Sequence, residues 1–355
     1  MSRTKTPHAA RRRSPRRLFY CRTPLQALII DGIRRLEPDG EDALLYHPIS
    51  ASPKHRIYFD RLDIADKAFV AHRKAIRPDI LNDLVAWPRV PRQFKEDRFD
   101  EIYLASIGCR LASLLAAANR RAEFATFDDG LFNLAHDHFW AWIDGEALSH
   151  RLLRRLLRAP RNRALVMGVK RHYSLYPPHL SVMRHAEIRS VAVLPPPPAH
   201  SSKRPVKIVI GAPIAWYSAA TKALYARVIA GIAPDVFVPH PLDTAPSQVA
   251  DWLPDAQEVR GDIDRLIAEE IIFKLASRGH AVTAFGFGST VLANVAPVAR
   301  AVDVLLPEVN GNVSGEMLAL GVETVDAETL AAAGPGDGMD ASGDNAHRAR
   351  SATGA

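Results

Sequence analysis

The chain has 355 residues, 47% of them hydrophobic and 24% charged, which suits globular material with enough apolar side chains for two cores. It has no run of about 18 apolar residues that would cross a bilayer, no apolar region of a secretory signal near its start, and only two cysteines, Cys21 and Cys109, far apart in sequence. A reducing, cytoplasmic setting is therefore expected. The formal net charge is +7, but seven cations precede residue 18, and the rest of the chain balances at 46 − 7 = 39 basic against 39 acidic residues. Residues 1–17 read as a basic flexible arm that could touch anionic lipid on the inner face of a membrane.

In chain order, "RLFYC" (17–21) predicts a short buried strand. Thr23 then caps a helix with Pro24 at its first position. "EIYLAS" (101–106) predicts a strand, "CRLASLLAAANRR" a helix, and "EFATF" a strand ending at Asp128. "HRLLRRLLRAPRNR" (150–163) has leucines at helical spacing with arginines between them, in a stretch from 148 to 171 without an acid. That pattern predicts a cationic amphipathic helix, either on a core or on an anionic surface. Four prolines and a polar run mark a linker over 191–206. After it come a strand in "KIVIGAP", a helix from 218, a strand in "DVFVPHP", one helix over 262–279, and strand, glycine turn and helix in "AVTAFGFGSTVLANV". Residues 331–355 have the composition of a disordered tail. Strands alternating with helices give the fold class: α/β, with two Rossmann-like domains, 18–190 and 207–330, facing a cleft.

Candidate chemistry is expected where these strands end. Asp128 and Asp129 follow a strand directly and precede Gly130. Adjacent carboxylates repel, so one could serve as a general base, although Asp-Asp-Gly is also an ordinary turn. His240, held between two prolines, could hydrogen-bond or protonate a leaving phosphate. Gly286, Gly288, Ser289 and Thr290 open a helix and could hold one phosphate; the spacing is neither a Walker loop nor G-x-G-x-x-G. Glu269 and Glu270 could accept hydrogen bonds from ribose hydroxyls. Asp262 and Asp264 read as helix-capping acids, and no His or Cys cluster has metal spacing.

The order and spacing of "FYCRTPLQ", "EIYLAS", "TFDDGLFNL", "RHYSLYP", "VKIVIGAP" and "VPHP", followed by an acidic helix and a Gly-Ser-Thr turn, resemble glycosyltransferase family 52, the bacterial lipooligosaccharide sialyltransferases. The resemblance implies a GT-B-like fold and an inverting, metal-independent transfer. The donor would be a CMP-sugar, with no cofactor, and the acceptor a cell-surface glycolipid or glycan. It implies that His240 assists departure of CMP, that Glu269 or its neighbour holds the ribose, and that Ser289 and Thr290 grip the phosphate. Gly211 and Pro241 fall in the same nucleotide-binding set. Homodimers occur among such enzymes, and nucleic acid is not an expected partner. One departure stands out. Family members can carry an aspartate base after the G-x-P turn, where this chain has Ile214. The base then falls to the D-D-G pair, with Asp128 preferred, as in a related sialyltransferase family. The alternatives are another nucleotide-sugar donor, or a cationic binding protein that has lost catalysis.

Overall fold

The computed structural model describes residues 13–71, 85–105, 107–131, 133–145, 148–194, 203–240, 246–253, 255–308 and 314–332. Most of the basic arm, residues 195–202 of the linker, Pro241 and residues 333–355 of the tail lie outside that description. The chain divides into two compact units, Met1–Val193 and Leu194–Ala355.

The first unit is built on β1 (Arg16–Cys21), β2 (Glu41–Tyr46), β3 (Asp66–Phe69), β4 (Glu101–Leu104), β5 (Glu123–Phe127), β6 (Arg171–Ser174) and β7 (Glu187–Ser190). They form one sheet in the order β3-β2-β1-β4-β5-β6-β7, parallel throughout. A parallel sheet is covered on both faces near its centre, and there β1 is apolar from Leu18 to Cys21, all four fully buried. The helix Pro24–Leu36 starts as expected, with Thr23 Oγ1 accepting from the Gln26 amide at 3.3 Å. The sheet order reverses between β1 and β4, which is where ligands of open α/β sheets bind.

The second unit contains β8 (Lys203–Ile210), β9 (Val236–Val238), β10 (Gln248–Val249), β11 (His280–Gly286), β12 (Arg300–Leu305) and β13 (Glu323–Asp326), in the order β10-β9-β8-β11-β12-β13. Only the edge strand β10 runs antiparallel. Reversal falls between β8 and β11. β8 begins before the expected "KIVIGAP" and takes in Pro205. A proline in a central strand removes a ladder donor, and the register between β8 and β11 shifts there: His280 pairs with Lys203 but Val282 with Val206. The sheet packs on helix Ala219–Ile232 through Val228, Ile232, Phe285 and Val302.

Two helices differ from expectation. The single helix over 262–279 is two, Ala256–Arg265 and Ala268–Ser277, separated by extended backbone at Leu266 and Ile267. No glycine or proline marks the break. Ion pairs across it hold the two pieces: Lys274 reaches Asp262 at 2.5 Å and also Glu258, and Arg278 reaches Asp255 and Glu258. Asp262 is thus a partner of Lys274 near a helix end, not a cap. The amphipathic helix over 150–163 ends at Leu157; Arg158 turns the chain with φ 53°, Pro160 follows, and a second helix spans Asn162–Met167. No described helix is long and apolar enough to cross a membrane.

Candidate active site

In the first unit the two acids of "FDDG" have separate environments. Asp128 has no solvent exposure. Its Oδ2 accepts from the Leu175 amide at 2.6 Å and the Ser174 hydroxyl at 2.8 Å. Its Oδ1 accepts from Asn133 Nδ2 at 3.2 Å and from His172 Nε2 at 3.0 Å. With the His172 Nε2 proton aimed at the carboxylate, Nδ1 is left to accept the Thr126 hydroxyl at 2.9 Å. Asp128 therefore ties the end of β5 to β6, and protein donors occupy both of its oxygens.

Asp129 is half-buried. Its Oδ1 accepts from Gln26 Nε2 at 2.5 Å, and Gln26 Oε1 in turn accepts the Arg22 amide at 2.7 Å. Gln26 is 1% exposed, so its amide is a fixed bracket between the turn after β1 and the turn after β5. Burial pushes the Cys21 thiol well above its ordinary value, and the Asp129 charge adds to that. Gly130 takes φ 80°, which lets the chain turn immediately after the pair. Gln26 was not among the residues expected from sequence. Its signal is its place in the first turn of a helix that leaves β1 at the reversal point.

In the second unit the loops after β9, β8 and β11, three neighbouring strands, lie along one sheet edge. Gly211 follows β8 directly, and its amide donates to Val238 O at 2.8 Å. A Cβ on Gly211 would stand 2.8 Å from the His240 backbone nitrogen, so only glycine lets the β8 turn and the histidine loop close together. His240 is half-buried at the end of β9.

After β11, Gly286 packs under Leu292 and Gly288 adopts φ 64°. The turn is not an open anion cradle. The Gly288 amide donates to Asp303 Oδ1 at 2.6 Å, with Asp303 buried on β12, and the Val291 amide donates to Ser289 Oγ at 3.4 Å. Ser289 caps helix Thr290–Val295, and both Ser289 and Thr290 are half-buried. Asn294 Nδ2 of that helix donates to Glu269 Oε1 at 3.0 Å, which fastens buried Glu269 beside the glycine turn. Burial pushes the neighbouring carboxyl of Glu270 up to about 7. Ile214, the position that lacks an acid, is half-buried against the core below.

A carboxylate the sequence did not flag, Glu308, follows β12. It accepts from the Ser218 amide at 3.0 Å and the Thr221 hydroxyl at 2.9 Å, at the start of helix Ala219–Ile232. Those Ser218 contacts, with Thr221, hold its carboxyl below the ordinary value. Among the described residues no cluster of His, Cys, Asp and Glu has the makings of a metal site.

Comparison with known proteins gives three findings. Residues 58–304 match the model of glycosyltransferase family 52. No curated protein matches the chain. Solved structures that align with it include the glycotransferase of kitacinnamycin, at 12% identity over 92% of this chain and 89% of that one, TM-score 0.47. A UDP-glucosyltransferase from Polygonum tinctorium aligns at 10% identity over 87% and 85%, TM-score 0.48. The GT-B domain of a sialyltransferase from Photobacterium damselae aligns at 12% identity over 88% and 99%, TM-score 0.39. Likenesses this loose assign neither a donor nor a residue's role.

Proposed function

The chain belongs to glycosyltransferase family 52 and is a glycosyltransferase; from that premise we propose that it moves an acidic sugar, sialic acid or a relative, from a CMP-sugar to a membrane-held glycolipid or other surface glycan. Transfer is a single inverting displacement, without a metal. The acceptor oxygen forms its bond to the anomeric carbon as the bond from that carbon to the phosphate oxygen breaks. The acceptor proton passes to a carboxylate, and the departing phosphate of CMP takes a proton or hydrogen bond from a histidine.

The observation that carries this reading is the convergence of the loops after β8, β9 and β11 along one edge of the second unit. Donor roles fall to that unit. His240 assists the leaving phosphate, Ser289 and Thr290 hold it, Glu269 and Glu270 serve the ribose, and Gly211 lets the histidine loop close. Pro241, the next residue in the chain, is assigned with His240 from the sequence alone and lies outside the described residues. Two turn amides are already committed to Asp303 and Ser289. The donor capacity that remains suits a monophosphate better than a diphosphate. A monophosphate also gathers less charge on departure, so a histidine and nearby dipoles can offset it without a cation.

The proton-accepting role falls to Asp129 rather than Asp128. Both oxygens of Asp128 are held by buried donors, while Asp129 is half-exposed and oriented through Gln26. Residues 1–17 and the cationic stretch from 148 favour work at the inner face of an anionic membrane.

Thermal melting with CMP, UDP, GDP and ADP tests the donor. A ligand at 100 times its dissociation constant adds about 2.7 kcal/mol, a readily visible shift. CMP alone should raise the melting temperature. A response to UDP or GDP instead would move the donor class, and silence with all four would point to a protein that binds without transferring. His240→Ala should keep its melting temperature and lose about 10²-fold or more in turnover; full turnover in that variant would remove the histidine from the reaction.

A further inference from the structure

Helix Leu148–Leu157 presents a stripe of two chemistries to solvent. Leu148 and Leu152, one turn apart, are 71% and 60% exposed. Arg151 and Arg155 are exposed too and fall at the third and seventh positions after Leu148, on the same side of the helix. Isolated exposed leucines are ordinary, but a leucine pair interleaved with an arginine pair along one helical stripe is not.

The stripe is held outward. Arg154, on the flank of the stripe, is 6% exposed and donates to Pro160 O at 2.6 Å and to Asn162 Oδ1. Rolling the helix to bury the leucines would pull that guanidinium out of its buried partners. The nearby acid, Asp144, is already paired with Arg163 at 2.6 Å. Trp142 and Met167, on the preceding and following helices, are 45% and 53% exposed. From residue 148 to 171 the sequence carries eight cations and no acid.

We propose that this stripe docks the first unit on an anionic lipid bilayer, with Leu148 and Leu152 entering the headgroup–acyl boundary and Arg151 and Arg155 reaching lipid phosphates. Charge and apolar exposure together choose the occupant. Nucleic acid would use the arginines but leave the leucines in water, whereas a bilayer uses both and accommodates the long arginine stems at its interface. The proposal rests on the reading of a membrane-held acceptor only for its purpose; the contact itself depends on the stripe.

Co-sedimentation with lipid vesicles tests it on the full chain. Wild-type protein should bind vesicles containing a quarter phosphatidylglycerol, bind pure phosphatidylcholine vesicles far less, and come off as salt rises. Leu148→Ser with Leu152→Ser should cut binding to the anionic vesicles at least tenfold. Arg151→Gln with Arg155→Gln should cut it roughly twenty-five-fold, about fivefold for each arginine. Both double variants should keep the melting temperature and any nucleotide-induced shift of the wild type. If the anionic vesicles fail to bind wild-type protein, or bind both variants as tightly as wild type, the surface is not a lipid dock. The proposal also falls if the leucine variant dissolves a dimer, or loses RNA binding, while vesicle binding stays unchanged. Vesicle binding without any response to CMP would leave this inference standing and remove the donor assignment instead.

Discussion

Asp128 gives up all contact with solvent to accept hydrogen bonds from Leu175, Ser174, His172 and Asn133, so asparagine in its place would face four donors with half the accepting capacity. Asp128→Asn should destabilise the first unit by about 2–4 kcal/mol, which a melting curve reads as a fall of several degrees. Asp129→Asn keeps the shape and the Gln26 contact. It should melt like wild type and bind CMP like wild type, yet lose about 10²-fold or more of sugar transfer. Near-normal transfer by Asp129→Asn would place the base elsewhere. Sequence puts the two acids at a strand end but cannot tell them apart. What separates them is His172 and Ser174, more than forty positions downstream, and those become neighbours only when β6 pairs with β5. Gln26 was unreadable for the same reason, since its partner Asp129 is 103 positions away.

Elements whose signals are local were legible, namely β1, the Thr23-capped helix and the β11 glycine turn. The break at Leu266–Ile267 was not, because it is held by Lys274 and Arg278 pairing back across it rather than by a helix-breaking residue. Another long-range feature joins four strands at the amino edge of the first sheet. Glu37, after the first helix, takes the hydroxyls of Tyr103 and Tyr173 and the guanidinium groups of Arg17, Arg171 and Arg189. Burial would raise its pKa, but the Tyr173 hydrogen bond and the charges of Arg171 and Arg189 outweigh burial and hold it below the ordinary carboxylate value. A depressed folded-state pKa contributes stability that is complete above the unfolded value, about 4.3, and is lost as pH falls through the folded one. Glu37→Gln should therefore cost about 2 kcal/mol at neutral pH, with the gap to wild type closing as the solution is acidified below that range. Urea unfolding at several pH values measures it, and a gap that does not narrow under acid would show that Glu37 acts by packing.

At the scale of the whole molecule, two sheets carry two separate sets of carboxyl-end residues, one in each unit. The donor roles proposed here belong to the second alone. Hydrogen exchange with and without CMP should show protection gained at Val238 to His240, at Gly211 and across Gly286 to Thr290. The Asp128 turn, already closed by its own hydrogen bonds, should change little. Protection confined to the first unit would reverse the assignment. The alternation of strands and helices made the two-sheet α/β class readable from the sequence, whereas strand order and the bulge beside Pro205 depend on pairings that no local stretch encodes.

The missing side chain at Gly211 has a bearing on how such an enzyme could be re-tooled. The turn after β8 is pressed against the His240 backbone, so any side chain at 211 has to push the histidine loop away. On the role proposed for His240, a library that varies position 211 in search of a new donor alters reaction rate along with selectivity, and selection reads the two as a single trait. Ala215 and Trp216, a few residues on, are exposed and free of that constraint. A directed-evolution campaign that holds 211 constant and diversifies 215 and 216 could change what is recognised while leaving the speed of the chemistry intact.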